Sequence, residues 1–461
     1  MVVLSQHWSL TWHCFCRYHP VSKIADGVYL KIVPKGHGKA ALVRVEVSVG
    51  QESSGSKSLC FTFQRKKYEC VDGRIRKIKF PSKQKIREYA MSTGLSNVAH
   101  VAGVFGGNDF DLPTPGFWPC FKQQLMAPLC VFQLFCMTLW LLDQMWKYAL
   151  FGFFTVIAFE ATSVFTRIKN ANMLRSMGSI HRSMYVFRLR RWQECNSKDL
   201  LPGDLVSIKP GPGSDIIPCD CLLLRGTAVV NEANLTGEST PQMKEAVPLD
   251  PDTLGARLDR KGAHKIHTLF SGTTIMQQTL AGERPAPPVL ADSELPAVAR
   301  MPTPPDGGCI CYVLRTAFGS SQGKLMRMIE VSAEQDVGDR ANLRDSLLLI
   351  AILLCFAVGA SALVWRKGLE SGIKSRYELL LHCVLIMTSV IPADLPMQLA
   401  LAVNASLISL MRNGVFCTEQ YKIPLAGKLN ICLFDKTGTL TADHLEAIGI
   451  VPHIEALAGD G

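Results

Sequence analysis

Four long apolar segments, arranged as two closely spaced pairs, constrain this chain of 461 residues more than any other feature. The segments are Met126–Leu142, Tyr148–Phe165, Ser346–Trp365 and Leu379–Leu410. About 20 apolar residues cross the roughly 30 Å hydrocarbon layer of a bilayer as a helix. The first two segments are shorter than that, so buried core helices are an alternative for them. Because the segments come in close pairs, the sequence favours membrane hairpins and predicts four transmembrane helices.

The distribution of charge agrees with a membrane protein. The formal net charge is +10, and basic residues concentrate in Arg65–Arg87 and Arg182–Arg191. By the positive-inside rule, these clusters place the N-terminal block and residues 168–342 in the cytosol. Basic residues between the third and fourth segments, such as Arg366 and Lys367, run against this rule in part. No nucleic-acid-binding fold is recognisable, so no nucleic-acid partner is expected.

The rest of the chain divides into two cytosolic blocks and a short C-terminal stretch. Residues 1–125 alternate short β-like runs with turn residues, which predicts a β-rich domain, and no signal peptide is recognisable. Residues 166–340 become strand-rich and contain a proline-rich insertion at 281–308, which is expected to be a flexible loop. The 16 cysteines indicate a reducing environment rather than a disulfide scaffold. The expected domain boundaries are 1–125, 126–165, 166–340, 341–411 and 412–461.

The strongest chemical motif is FDKTGTLT, Phe434–Thr441. It follows the apolar run LNICL, which predicts a buried parallel strand with Asp435 just past its carboxyl end. A carboxylate in that position is a candidate nucleophile that forms an aspartyl-phosphate. Gly438 lets the backbone approach a phosphate, while Lys436 and the threonine hydroxyls offer charge and donors. Because Thr437 is no acid or base, we expect a long-lived intermediate. A surface turn is the alternative interpretation.

A second motif, NLTGEST, lies within the strand-rich block at Asn234–Thr240. Glu238 is a candidate general base, because a carboxylate within hydrogen-bond reach can position and deprotonate a water. Taken alone, this motif is equally compatible with an ordinary turn. Its presence together with FDKTGTLT and four apolar segments favours the catalytic interpretation.

The fourth apolar segment is interrupted by IPADLP, with Pro392, Asp394 and Pro396 close together. Two prolines free backbone carbonyls and unwind a helix, which a membrane tolerates only where the chain lines a cavity or other protein. An ionised Asp at mid-bilayer costs on the order of 2.5–3.5 kcal/mol on insertion scales, so Asp394 is a candidate functional residue. The alternative is an interfacial Asp paired with a neighbouring Lys or Arg.

Together these motifs resemble those of the P-type ATPases. The stretches LLPGDLVSI, IIPCDCLLLRG and LFSGTTIMQ are similar to the family's actuator domain. Four further stretches resemble the type V-A subfamily: VFQLFCMTLWLLDQMW, AFGSSQGKLMR, IPADLPMQLALAVN and CTEQYKIPLAGKLNICLFDKTGTLT. The resemblance covers essentially the whole chain. It implies a multi-domain α+β membrane protein with a β-rich actuator domain, four transmembrane helices and the first strand of a HAD-like phosphorylation domain.

The subfamily resemblance also implies an activity, namely ATP-driven dislocation of mistargeted transmembrane helices from the endoplasmic-reticulum membrane. The implied cofactors are ATP and Mg²⁺, and the implied partners are the lipid bilayer and either a transmembrane helix or a cation. Cation transport by the same type of enzyme is therefore an alternative. The implied location is the endoplasmic-reticulum membrane, as a multi-pass protein.

Residue roles carry over only by this resemblance. The catalytic positions are Asp435, Glu238, Lys436 and Thr437, with Asp435 and Thr437 as magnesium ligands, Gly438 and Thr439 as cofactor-binding residues, and Pro392, Asp394 and Pro396 as substrate-binding residues. The sequence departs from the subfamily pattern in three places. Ala393 and Asp394 stand where a second proline and a Glu are usual, and Ala317 stands where a Gly is common.

The family continues far beyond the phosphorylated aspartate, whereas this chain ends at Gly461. The resemblance therefore implies an N-terminal portion without the nucleotide-binding domain, which does not hydrolyse ATP by itself. A hypothesis of another class follows, that of a non-catalytic membrane fragment.

Overall fold

The computed structural model of the chain forms two compact units, each built from discontinuous stretches of sequence. Residues 1–77, 111–178 and 328–430 form one, here called the helical unit, and residues 78–110, 179–327 and 431–461 form the other, called the sheet unit. The structure describes residues 6, 9–21, 28–34, 40–48, 58–71, 74–110, 116–142, 145–176, 181–211, 215–238, 240–279, 297–333, 337–372, 375–390, 395–415, 417, 423–427, 429–442 and 448–449.

Successive stretches of the chain belong alternately to the helical unit and to the sheet unit. The α-helices are α1 (Leu10–Arg17), α2 (Ile86–Ala90), α3 (Val98–Phe105), α4 (Phe117–Leu125), α5 (Pro128–Leu142), α6 (Trp146–Ser176), α7 (Ala233–Thr236), α8 (Pro251–Gly255), α9 (Ser321–Ala333), α10 (Val337–Ser371), α11 (Arg376–Val390), α12 (Leu395–Arg412) and α13 (Ile423–Ala426). The strands are β1 (Tyr29–Ile32), β2 (Ala41–Arg44), β3 (Glu46–Ser48), β4 (Ser58–Phe63), β5 (Lys66–Val71), β6 (Arg74–Lys77), β7 (Ser183–Arg188), β8 (Arg191–Asn196), β9 (Leu205–Ile208), β10 (Asp220–Arg225), β11 (Thr227–Asn231), β12 (Gln242–Glu245), β13 (Thr268–Leu269), β14 (Thr274–Thr279) and β15 (Cys309–Arg315).

Two small antiparallel sheets begin the helical unit. β1 pairs with β2, and β3 to β6 form a four-stranded meander. Alternate residues of β4 point to the same side of the sheet, so Leu59 and Phe61 are both buried. Phe61 stacks on Tyr68 of the neighbouring strand β5 with ring centroids 5.3 Å apart. The short β-like runs predicted in the N-terminal block are therefore strands.

The helical unit contains helices with the length and apolarity needed to cross a membrane. Trp146–Thr166 of α6 and Ala351–Ser371 of α10 each qualify alone. Phe117–Leu125 and Cys130–Leu142 qualify only as a pair, which is bent by 64°. Among the described residues there are thus two candidate spans, or three if the bent pair is one span.

The fourth apolar segment forms two helices rather than one. α11 ends at Val390 and α12 begins at Leu395. The predicted break at Pro392 and Asp394 falls on residues 391–394, which lie outside the described residues. Pro396 is in the first turn of α12, where a missing backbone N–H removes no helical hydrogen bond.

The sheet unit is built around a six-stranded antiparallel sheet. Its strand order is β13-β10-β15-β9-β7-β8, and a three-stranded antiparallel sheet, β12-β11-β14, accompanies it. In β10, Cys221 and Leu223 belong to one hydrophobic cluster, while Leu222 and Leu224 belong to a second. Successive residues of a strand point to opposite faces, so the large sheet is buried on both sides. The central strands β10 and β15 therefore appear in the sequence as nearly continuous apolar runs rather than as alternating ones.

Residues 78–110 cover the second face of this sheet. Ile86 and Tyr89 of α2 are fully buried in the cluster that contains Leu222 and Tyr312. The Tyr89 hydroxyl donates to the Pro81 carbonyl and accepts from the Gln84 N–H. Burial raises the pKa of Tyr89 to about 12. The sheet unit thus includes a stretch that precedes the first apolar segment in sequence.

The proline-rich insertion differs from its prediction. Residues 280–296 lie outside the described residues, but the stretch that follows them is packed into the sheet unit. Val298 and Met301 are buried in the second cluster, and the Ser207 hydroxyl donates to Asp306. A flexible loop was therefore the wrong prediction for residues 297–308, because the apolar side chains among the prolines complete the core.

Ala317 has a φ of +43°, in the left-handed region that L residues rarely adopt. Replacing Ala317 with Gly is expected to raise the free energy of unfolding of the sheet unit by about 0.5–1 kcal/mol, since the strain removed exceeds the added chain entropy. Urea-induced unfolding followed by pulse proteolysis measures this change. Ala102→Gly, in the regular helix α3, is the matched control and should lower stability by up to about 1 kcal/mol. A loss of stability in Ala317→Gly would contradict the prediction.

Candidate functional site

The LTGE stretch forms an exposed loop directly after α7. The helix ends at Gly237, whose φ of +77° is the left-handed conformation that glycine adopts most readily. Its N–H donates to the Ala233 carbonyl, and the Glu238 N–H donates to the Thr236 hydroxyl at 3.2 Å. The Glu238 side chain is exposed. A rigid turn therefore presents this carboxylate to solvent, as a general base for an external substrate requires.

A buried ion pair joins two residues that flank the LTGE loop, Glu232 and Lys244. The Lys244 ammonium of β12 lies 2.7 Å from Glu232 Oε1, and the side chains are 3% and 1% exposed. The Glu232 backbone carbonyl accepts from the Leu235 and Thr236 N–H groups. Burial lowers the pKa of Lys244, and the neighbouring Glu232 opposes that shift. Sequence analysis missed this pair, although Glu232 and Lys244 flank the motif on either side.

The stretch around Asp435 does not form the predicted strand. Residues 429–435 have no strand hydrogen bonds, and Ile431, Leu433 and Phe434 are 76%, 94% and 71% exposed. A strand is stable only when neighbouring strands pair with it and cover its faces. Within the described residues no segment pairs with 429–435, so the buried strand was a wrong prediction for this structure.

The motif that follows is a compact turn. The Lys436 N–H donates to Asp435 Oδ1 at 2.8 Å. The Leu440 and Thr441 N–H groups both donate to the Lys436 carbonyl. Gly438, with a φ of +75°, sits at the tip of this turn, and the Asp435 and Lys436 side chains are exposed. Thr437 is half-buried and Thr439 is exposed. The turn leaves Asp435 accessible to an incoming phosphate.

The magnesium ion implied by the family resemblance fits the donors of this turn. Magnesium prefers oxygen ligands and is often held by one or two carboxylates, with waters and phosphates completing its shell. The Asp435 carboxylate and the Thr437 carbonyl are oxygen donors two residues apart. No cluster of three or more His, Cys, Asp or Glu capable of holding a metal occurs among the described residues. These two donors suit a site of few protein ligands, in which phosphate oxygens and waters supply the rest of the shell.

The predicted site residues fall into three groups. Glu238 lies on the loop after α7, and Asp435, Lys436, Thr437, Gly438 and Thr439 share one turn. In the described part of the chain no hydrogen bond or ion pair joins Glu238 to Asp435. Pro392 and Asp394 lie outside the described residues, and Pro396 lies in the first turn of α12.

Residues 179–301 match the P-type ATPase actuator domain. A probable manganese-transporting ATPase of Arabidopsis thaliana is 40% identical over 98% of this chain and 38% of its own length. The endoplasmic reticulum transmembrane helix translocase of Schizosaccharomyces pombe is 38% identical over 97% of this chain and 36% of its own length. A human polyamine-transporting ATPase is 30% identical over 78% of this chain and 28% of its own length.

The chain thus spans less than two fifths of the length of these relatives. The actuator match coincides with the sheet unit and contains the LTGE loop. The similarity to the first two relatives extends through nearly all of the chain, including both candidate spans and the aspartate turn. This chain belongs to the P-type ATPases, within the type V-A subfamily that its motifs indicate.

Proposed function

We propose that this chain is part of an ATP-driven, multi-pass P-type ATPase of the endoplasmic-reticulum membrane that removes mistargeted transmembrane helices. The observation that carries the proposal is the similarity, over 97% of the chain, to a relative named as an endoplasmic reticulum transmembrane helix translocase. The actuator match and the exposed carboxylate at its LTGE loop support the hydrolysis step. The FDKTGTLT turn supports the phosphorylation step.

In the first step, a carboxylate oxygen of Asp435 attacks the terminal phosphorus of ATP. A new O–P bond forms, the bond to the bridging oxygen breaks, and ADP leaves with that oxygen. Lys436 contributes positive charge, and the Gly438 backbone and the Thr439 hydroxyl bind phosphate oxygens. The Asp435 carboxylate and the Thr437 carbonyl would hold Mg²⁺, which would supply positive charge to neutralise the phosphate.

In the second step, Glu238 activates a water. Its carboxylate takes a proton from the water as the oxygen attacks the phosphorus, and the Asp435 carboxylate leaves. Inorganic phosphate is released and Asp435 is regenerated. Glu238 and Asp435 lie on separate loops, and no hydrogen bond or ion pair joins them among the described residues. In the proposed cycle, the stretch 179–327 that carries Glu238 moves relative to the aspartate turn and brings Glu238 to the phosphate.

The substrate is proposed to bind at the broken fourth span. The motif with Pro392, Asp394 and Pro396 falls where α11 ends at Val390 and α12 begins at Leu395. We assign the domains as 1–125, 166–340 for the actuator domain and 412–461 for the start of the HAD-like phosphorylation domain, with four transmembrane helices in 126–165 and 341–411. Because the chain corresponds to under two fifths of its relatives, catalysis is assigned to the whole protein.

Cation transport is the second candidate function. A relative named as a probable manganese-transporting ATPase supports it, as does the acidic Asp394 in a broken span. Proteoliposomes containing the full-length protein separate the two functions. Helix extraction predicts that ATP removes a labelled transmembrane segment from the bilayer without uptake of Mn²⁺. ATP-dependent Mn²⁺ uptake without helix removal would favour transport instead.

The chemistry is tested in the full-length protein with ATP that carries a radioactive terminal phosphate. Asp435→Asn is expected to abolish the acid-stable protein label, because an amide is not a nucleophile here. Asp443→Asn is the matched control, since Asp443 is also an aspartate of the C-terminal stretch, eight residues further along the chain. Glu238→Gln is expected to keep the label and slow its decay by about 10²–10⁴-fold. Label that persists in Asp435→Asn would refute the proposed function.

A further inference from the structure

Asn108 is a buried side chain that the proposed chemistry does not use. It is 3% exposed. Its amide donates to the Ser197 carbonyl at 3.1 Å and to the Pro218 carbonyl at 3.0 Å, and its Oδ1 accepts from the Ala317 N–H at 2.7 Å. Its own N–H donates to the Lys198 carbonyl. The side-chain amide of Asn108 thus uses its nitrogen as a donor twice and its oxygen as an acceptor, all inside the fold.

Three stretches, here called linkers, connect the sheet unit with candidate spans along the chain, and Asn108 and its partner Ala317 each lie in one of them. The first linker, residues 106–110, leads towards α4 and α5, and it contains Asn108. The second linker, residues 181–182, follows α6. The third linker, residues 316–320, leads into α9 and then α10, and it contains Ala317. Asn108 therefore bonds the first linker directly to the third.

Ser197 connects the second linker to Asn108. The Arg182 N–H donates to the Ser197 hydroxyl at 3.0 Å, and the Ser197 N–H donates to the Arg182 carbonyl at 2.8 Å. The carbonyl of Ser197 accepts from Asn108. All three linkers are thus joined through two buried polar residues, Asn108 and Ser197.

Other contacts hold the same three linkers together. Phe110 of the first linker packs edge-on against Phe318 of the third, with ring centroids 5.4 Å apart. Asp109 Oδ1 lies 3.4 Å from His181 Nε2 of the second linker, and Asp109 forms an ion pair with Lys198 at 3.3 Å. The backbone approaches so closely that a Cβ on Gly107 would lie 2.8 Å from the Lys198 carbonyl.

A second buried group fastens the third linker to the sheet. Asp220, at the start of β10, is fully buried and accepts from both the N–H and the hydroxyl of Ser321, the first residue of α9. The same carboxylate accepts from the Ser271 N–H and pairs with Arg260 at 3.1 Å. Hydrogen bonds therefore fix the beginning of α9 to β10.

We propose that Asn108 is a positioning residue that makes the three linkers move as one piece with the sheets that carry the LTGE loop. This inference rests on the proposed function, in which Glu238 must be carried to the phosphate on Asp435. The stretch that carries Glu238 is connected to the candidate spans through all three linkers. It passes the same motion to each linker only if the linkers are fixed to one another. Asn108 makes that connection, because its side chain bonds the third linker directly at Ala317 and reaches the second linker through Ser197, which bonds Arg182.

The test measures phosphate transfer in the full-length protein. In Asn108→Ala, labelling by ATP should proceed as in the wild type, but after a chase with unlabelled ATP the label should decay about tenfold more slowly, since the buried hydrogen bonds to Ser197, Pro218 and Ala317 are lost. Asn108→Asp keeps the acceptor for Ala317 but loses both donated bonds, so it should show the same slow decay. Ser197→Ala removes only the acceptor for Arg182, and a smaller change of about threefold is expected.

Asp204→Asn is the control for stability. Asp204 is equally buried in the sheet unit and bonds Arg188 and the Leu201 N–H, none of them in a linker. It should lower the melting temperature without slowing decay. Decay within twofold of the wild type in both Asn108 variants, or equal slowing in Asp204→Asn, would overturn the inference. If the wild type takes no label, the proposed function fails first and this inference falls with it.

Discussion

Replacing Tyr89 with alanine is expected to lower the free energy of unfolding of the sheet unit by about 3–5 kcal/mol. Tyr89 is fully buried, and its ring packs edge-on against Tyr312 with centroids 4.9 Å apart. Alanine leaves a cavity against the second face of the sheet and removes two hydrogen bonds of the hydroxyl. Since domains have only about 5–15 kcal/mol of stability, this one change removes much of it. Urea-induced unfolding followed by pulse proteolysis measures the loss.

Two variants show whether packing is the cause. Tyr89→Phe keeps the ring and should cost about 1–3 kcal/mol, because the Gln84 N–H loses its acceptor. Met91→Ala, just after the same helix, truncates a side chain that is 45% exposed and should cost less than about 0.5 kcal/mol. A cost for Tyr89→Ala as small as that of Met91→Ala would mean that residues 78–110 do not belong to the folded unit.

The sequence indicated that residues 166–340 are rich in strands, but not what covers those strands. A run such as Cys221–Leu224 is apolar throughout, which is typical of a strand buried on both faces. The partner on the second face is α2, a helix of five residues too short to show a helical period. Its position depends on packing against residues more than a hundred positions away. Local pattern holds no information about such a contact.

In the candidate site, too, the sequence predicted some features and missed others. Gly237 and Glu238 could be placed on a loop because the turn is set by local residue types. The buried strand before Asp435 was a wrong prediction, since an apolar run such as Ile431–Phe434 becomes a strand only with neighbours to pair with. Asn108 gave no signal, because its partners come from three distant stretches of sequence. Buried polar contacts of this kind are visible only in the fold.

The second large effect is expected from Lys244→Met, which should destabilise the sheet unit by about 3–5 kcal/mol. The change leaves the Glu232 carboxylate buried without its cation, while the methionine fills most of the space of the lysine stem. Glu232 carries the backbone carbonyl on which the first turn of α7 is built, so the loop that ends in Glu238 should loosen as well. Urea-induced unfolding reports stability, and hydrogen exchange of the Leu235 and Thr236 amides reports the loop.

A double-mutant cycle separates the ion pair from simple packing. Glu232→Gln with Lys244→Met leaves no unpaired charge, so the double variant should be more stable than Lys244→Met alone, and the two single costs should not add. Lys261→Met removes an exposed lysine of the same unit and should change stability by less than about 0.5 kcal/mol. Additive costs in the cycle would mean that Lys244 contributes through its stem alone. The pair would then have no part in holding the Glu238 loop.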